Sequence, residues 1–126
     1  MAGLTLDTGA LIGFERSDRR LLLHLKTAQM RGHELTVPTP VVAEAWRGGA
    51  RSARIDRLLD VCVIEPLFED LARLAGEAIA SISGAGVIDA IVMASAARRG
   101  DRVLTADFND LARLRAHFPT VRLVTV

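Results

Sequence analysis

Short apolar stretches of strand length alternate with helical periods along the whole chain, and this alternation narrows the possible fold more than any other feature. Leu4-Thr5-Leu6 reads as a first strand, followed by a helix from about Thr8 to Glu15. A second helix carries Leu21, Leu22, Leu25 and Ala28 on one face and ends near Gly32. Residues 34–38 form a short strand, and Pro40 stands in the first turn of a helix whose apolar run stops at Gly48-Gly49. A short basic helix follows, with Ile55, Leu58 and Leu59 inward and Arg51, Arg54 and Arg57 on its other side. Residues 61–65 are a third strand, and residues 67–82 a long amphipathic helix with Leu67, Leu71, Leu74, Ala78 and Ile82 inward. Residues 87–99 are almost wholly apolar, so that helix is expected to be buried. Residues 102–105 form a fourth strand, residues 108–117 a helix and residues 121–126 a closing strand.

Strands that are apolar throughout need cover on both faces, which argues for a parallel sheet. Right-handed crossovers wind such a sheet both ways. The expected architecture is a three-layer α/β/α sandwich with a mostly parallel sheet of about five strands, one domain over residues 1–126. No internal repeat, low-complexity tract or linker divides it.

Half of the residues are apolar, a quarter are charged and the net charge is +1, which excludes a disordered chain and favours no class of partner. Fifteen of the sixteen cations are Arg and only Lys26 is Lys. Arg forks suit phosphate, although codon bias across a genome produces the same skew. Cys62 is alone, which excludes a disulfide framework and a thiolate metal site and suggests a core thiol in a reducing compartment. No basic segment followed by an apolar run opens the chain, so no secretion signal is expected. The longest apolar stretch, residues 84–97, is short and holds Asp89, so no membrane span is expected and the cytoplasm is the expected location.

Four acids stand at the edge of these apolar stretches or inside them: Asp7, Glu44, Asp89 and Asp107. Most of the others have ordinary company. Glu15 lies four residues before Arg19, Glu69 four before Arg73 and Asp110 three before Arg113, the spacing of exposed helical pairs. Asp89 has no cation at three or four residues on either side, and Glu44 has only Arg47. A lone buried carboxylate calls for a partner, a proton or a metal.

Asp7 and Asp107 each close a strand, where open α/β sheets place their sites. Glu44 and Asp89 lie close enough to strand ends to lean over the same rim. A strand-end Asp is also a good helix cap, which accounts for Asp7 or Asp107 taken singly, and a pair with Arg47 accounts for Glu44. Taken together, two carboxylates ~4 Å apart repel by roughly 4 kcal/mol at an effective dielectric of about 20, so convergence demands a proton or a cation. The donors are all oxygens, and His24, His33 and His117 have no ligand-like spacing, so Mg²⁺ or Mn²⁺ suits the set better than Zn²⁺.

These segments, LDTGALI, VVAEAWR, IDAIVMASA and TADFNDL, resemble in order and spacing the successive motifs of the PIN-domain family, over essentially the whole chain. The likeness is strongest to its small stand-alone members, the VapC-type toxins of bacterial toxin–antitoxin pairs. The resemblance implies a PIN-like fold and an Mg²⁺- or Mn²⁺-dependent endoribonuclease that hydrolyses RNA phosphodiester bonds with water activated by the metal. It implies that Asp7, Glu44, Asp89 and Asp107 bind the metal and that the Thr105 hydroxyl steadies the site. Thr8 and Asp110 match less firmly, and Ala90 and Ala94 match small residues that let the Asp89 helix approach. It also implies a cognate antitoxin protein, docked on the apolar helices around Leu11, Ile12, Leu22 and Leu25, and a homodimer.

Arg47, Arg51 and Arg54 follow Glu44 and are candidates to hold the RNA backbone, or else form a solvated helix face. Trp46 is a candidate to stack a base, to fill the core or to sit at a subunit interface. A haloacid-dehalogenase-type site wants a second Asp where Gly9 stands, and a receiver domain wants a late Lys that is missing. Gly84-Ala85-Gly86 does not follow a strand, which weakens a nucleotide-binding alternative. The alternative from another class is a catalytically silent, metal-stabilised RNA- or protein-binding module.

Overall fold

In the computed structural model, which describes residues 3–126, the apolar stretches become five strands in one sheet, all parallel. These are β1 (Leu4–Leu6), β2 (Leu35–Pro38), β3 (Val63–Glu65), β4 (Arg102–Thr105) and β5 (Arg122–Thr125), in the order β3-β2-β1-β4-β5. The helices are α1 (Thr8–Glu15), α2 (Arg19–Met30), α3 (Thr39–Ala45), α4 (Ala53–Leu59), α5 (Glu69–Ser81), α6 (Val87–Arg99) and α7 (Phe108–Ala112). The chain first steps from β1 outward to β3, then crosses back to β4 and β5. With right-handed connections those two directions lie on opposite faces. Accordingly α1 packs with α2, α3 and α4, while α6 packs with α5 and α7, and α3 also meets α6. Reversal of direction beside β1 opens the crevice in which strand-end residues meet.

The expected buried helix is α6, with every residue from Ala90 to Ala96 buried. It stops at Gly100, whose φ of 72° is the left-handed conformation that favours glycine after a helix. The basic segment differs from the expected single helix. Arg51 lies in a 3₁₀ turn, Gly49–Ser52, ahead of α4. Buried Ser52 accepts the backbone N–H groups of Arg47 (2.9 Å) and Gly48 (3.0 Å), which ends α3 at Ala45 and shapes the loop below Glu44. Residues 108–117 likewise divide into α7 and a 3₁₀ turn, Arg113–Ala116.

Three expectations fail. Glu15 and Arg19 belong to different helices separated by a turn at Ser17, whose φ is 60°, so the helical pair does not form. Of the residues expected around an outer groove, Leu11 and Leu25 are buried in the protein's own core, while Ile12 and Leu22 are only partly buried; on α2 the exposed apolar residues are Leu23 and Met30. Leu74 also points outward, while Leu71, Ala75 and Ala78 face in. Cys62 precedes β3 and is only partly buried against the core, yet burial pushes its thiol up to about 11, which favours the protonated thiol over the thiolate. Among the described residues no helix is long and apolar enough to cross a membrane.

A charged network below the sheet escaped the sequence patterns. Asp101 accepts from the Gly3 N–H (2.9 Å), the Thr5 hydroxyl (2.9 Å) and Arg99 (3.0 Å). Arg99 also reaches Glu65, whose other oxygen accepts from buried Ser95 (2.6 Å). The network ties α6 to β1, β3 and β4. Removing one partner of a buried pair costs about 3–5 kcal/mol. The Arg99 and Glu65 side chains are 24% and 19% exposed, so the effect here is smaller. Arg99→Met is expected to lower unfolding stability by about 2–3 kcal/mol, read as a lower urea midpoint at unchanged slope; an unchanged midpoint would show that the network is dispensable.

Candidate active site

The C-terminal end of β1 leads into Asp7, which is buried at 4% exposure. Its carboxylate caps α1, accepting from the Ala10 N–H at 2.8 Å. That bond and the neighbouring Thr105 hydroxyl favour the charged form, but burial outweighs them and raises the Asp7 pKa from 3.8 to about 6, with Asp107 and Glu44 adding to the rise. Gly9 makes this possible locally. A Cβ there would meet the Ala106 Cβ at 3.1 Å, so glycine lets α1 begin against the β4–α7 junction that carries Asp107.

Asp89 lies in the first turn of α6, where the helix end favours an anion. Even so its pKa is raised to about 6, first by burial and then by Asp7, Asp110, Asp107 and Glu44. Asp7, Glu44 and Asp107 are thus all near enough to act on Asp89 through space, and Asp110 acts with them. Asp107 holds the N-cap position of α7 without making the side-chain cap bond; its backbone N–H donates to Thr105 Oγ1 at 2.8 Å. Asp110, against its carboxyl, holds the Asp107 pKa above the ordinary value. Asp110 in turn accepts from Arg113 at 3.0 Å, and Arg113 lies across Gly84, where a Cβ would come within 2.9 Å of Nη1. The expected Asp110–Arg113 pair thus exists, and places a fifth acid at the site. The three-residue spacing from Asp107 on one helical turn was the signal for it.

Glu44 is exposed in the last turn of α3, where the helix end disfavours an anion. Arg47 does not neutralise it, since its guanidinium donates to the Trp46 carbonyl at 2.8 Å. What fixes Glu44 is the Thr8 hydroxyl, which donates to Oε1 at 2.5 Å. Glu44 forms the wall between two recesses. One, about 260 Å³, is shared with Gly86, Val87, Ile88 and Asp89; the other, about 110 Å³, with Glu15 as well as Arg16, Arg47 and Arg51. Arg54 is not in that second recess; it turns to α1, with Nε donating to the Phe14 carbonyl at 3.4 Å and the guanidinium over the Phe14 ring. Trp46 is 39% exposed beside Arg47 and does not fill the core.

Hydroxyl and carboxylate oxygens are the donors here: four acids with the Thr8 and Thr105 hydroxyls, an all-oxygen set that fits a hard divalent cation. Among the described residues no three acids stand at the spacing of ligands around one ion. A bound cation would draw them together against the repulsion that raises the Asp7 and Asp89 pKa values.

Among solved structures the chain is similar to VapBC2 from Rickettsia felis bound to a promoter DNA fragment, with TM-score 0.78, 13% identity and 98% of each chain covered. It is similar to DNA-bound VapBC from Salmonella typhimurium, with TM-score 0.78, 15% identity and 99% and 98% of the two chains covered. FitAcB from Neisseria gonorrhoeae follows the same fold, with TM-score 0.66, 17% identity and 97% and 96% covered. A comparison with curated proteins finds no match. The family model described as the PIN domain matches residues 4–116, which takes in every acid of the cleft, and the chain therefore belongs to the PIN-domain family.

Proposed function

We propose that this protein is a divalent-metal-dependent endoribonuclease and the toxin of a toxin–antitoxin pair. The observation that carries the proposal is that Asp7 and Asp89 each feel the charges of Glu44 and Asp107, with burial the first cause, so that both carboxyl pKa values are driven to about 6. A recess lined by Arg16, Arg47 and Arg51, together with Glu15, adjoins these acids across Glu44. In this proposal the four acids hold Mg²⁺ or Mn²⁺, which supplies Lewis acidity toward a scissile phosphate and lowers the pKa of water. Thr8 keeps Glu44 aimed at the cleft and Thr105 holds the Asp107 backbone and neighbours Asp7. Arg47 and Arg51 offset the repulsion between the acids and the RNA backbone. Arg54 would join them only by leaving Phe14. No nucleophilic side chain is needed, so direct hydrolysis should leave 5′-phosphate and 3′-hydroxyl ends.

The deciding assay is cleavage of labelled RNA with Mg²⁺ or Mn²⁺ and with EDTA, with the product ends identified. Internal cuts that require metal and carry 5′-phosphates are expected. Cleavage that persists in EDTA, or products ending in a 2′,3′-cyclic phosphate, would overturn the metal-dependent mechanism.

The partners in this proposal are an antitoxin protein and a second copy of the chain, and the compartment is the cytoplasm. VapBC and FitAB complexes share the fold, and an acidic cleft offers an inhibitor's Arg charge-assisted hydrogen bonds. For the second copy, β3 is an edge strand surrounded by exposed Val61, Val63, Ile64 and Phe68, an apolar patch that self-association would cover. Sedimentation of the chain alone should show a dimer that Val63→Asp dissociates; a monomer at all concentrations would remove the second copy from the proposal.

A further inference from the structure

The other end of the sheet carries a second cleft, far from the acids along the strands. Its volume is about 260 Å³, and it lies between α2 and the sheet, over Leu4 and Arg102, which open β1 and β4. Topology explains why it exists. Helices following β1 cover that face toward β2 and β3, whereas connections from β3 to β5 run on the opposite face. The flank of α2 then faces Arg102 of β4 and Val124 of β5 across the cleft. Leu4, Arg102 and Arg122 are in register on three neighbouring strands, so their side chains leave the sheet on the same side, and Val124 follows two residues on.

The polar residues of the cleft are His24, Thr27, Arg31, His33 and Arg102, and no Asp or Glu lines it. Half-buried Arg102 contacts His33, with Nη2 at 3.5 Å from Nδ1. Among the described residues no carboxylate lies within ion-pair distance of Arg31, Arg102 or Arg122. The acid next in sequence, Asp101, is engaged by Gly3, Thr5 and Arg99. Like charges side by side on adjacent strands repel, and a partly buried cation without a counter-charge is costly. In a protein of net charge +1 this concentration of donors is a local feature and not part of a generally basic surface.

We propose that this cleft binds a nucleoside phosphate, either a free mononucleotide or the terminal nucleotide of an RNA. Arg31 and Arg102 would take the phosphate through their forked N–H groups, with His24 and His33 as further donors. The base would lie against Leu4, Leu23 and Val124. Size favours this ligand over an extended acidic peptide. The cleft falls just below the roughly 300–1,000 Å³ typical of small-molecule pockets and suits one compact unit.

The test is calorimetric titration of the full chain in EDTA with AMP, adenosine, inorganic phosphate and a short oligoribonucleotide with or without a 5′-phosphate. EDTA excludes nucleotide held through a metal at the acids. AMP should bind at least tenfold more tightly than adenosine, and Arg31→Gln and Arg102→Gln should each weaken it at least tenfold. Asp89→Asn should leave AMP binding unchanged. Arg31 is exposed on α2, so Arg31→Gln keeps the test valid even where Arg102→Gln fails to fold. A 5′-phosphorylated oligonucleotide that binds more tightly than AMP would assign the site to an RNA end, and the reverse order would assign it to a free nucleotide. No AMP binding at millimolar concentration, or equal affinity for AMP and adenosine, would overturn the proposal. So would unchanged affinity in Arg31→Gln, loss of binding in Asp89→Asn, or a hexaglutamate peptide that binds more tightly than AMP.

Discussion

Asp7→Asn and Asp89→Asn are each expected to lower the rate of metal-dependent RNA cleavage by about 10²–10³-fold or more while leaving the fold intact. Asparagine is the informative substitute at Asp7. Its side-chain oxygen can still accept the Ala10 N–H, and Asn caps a helix about as well as Asp, so the variant removes charge but not the cap. Asp7→Ala would confound the result, because loss of a cap costs about 1 kcal/mol. At Asp89 no capping bond is at stake, so the same change relieves repulsion from the other acids. Arg51→Ala is expected to behave differently, weakening RNA binding and reducing its salt slope by about one without removing the chemistry. Single-turnover kinetics at saturating RNA separate the two effects. Full turnover in Asp89→Asn would sink the assignment of the acids.

The metal-free protein should lose stability as pH rises through about 6. Asp7 and Asp89 have folded pKa values raised from 3.8 to about 6, so between those values the native state binds more protons than the unfolded chain. Stability therefore falls with increasing pH across that window. For buried Asp7 the change from 3.8 to about 6 corresponds to roughly 3 kcal/mol; Asp89 is more exposed and contributes less after solvent screening. In EDTA, Asp7→Asn and Asp89→Asn should flatten this slope and raise the Tm at pH 7.5. Mg²⁺ or Mn²⁺ should reverse the trend for the unaltered protein. A ligand of the native state at a hundred times its Kd adds about 2.7 kcal/mol, a shift of several degrees. Below about pH 5 protons compete for the same oxygens and the metal-induced shift should vanish. Thermal melts across pH, with and without metal, check this, and equal metal-induced shifts in the unaltered protein and the Asn variants would rule out a shared site.

Local periodicity carried a large part of the architecture. The apolar run of α6 and the strand at residues 102–105 were legible because each depends on neighbours within a few residues, whereas α3 stopped at Ala45, short of the expected Gly48-Gly49. Where boundaries differed, a contact invisible to periodicity had intervened, as when Ser52 captured the Arg47 and Gly48 N–H groups. The unusual company of Asp7, Glu44, Asp89 and Asp107 was legible for a similar reason, since a charge beside apolar residues with no cation at helical spacing stands out in one dimension.

What the sequence determined by itself was therefore the set of elements, their parallel arrangement and the identity of the unpaired acids. Only the tertiary structure decided which groups meet. Thr8 holds Glu44 across thirty-six residues, Gly3 donates to Asp101 across ninety-eight, and Asp110 serves both Arg113 and the acid cluster. Arg54 turned to Phe14, while Arg31 and Arg102 came together at the opposite end of the sheet. The physical reason is that strand order and crossover side set these distances. Those are properties of the whole chain's packing, whereas helix and strand periods are properties of a few residues at a time.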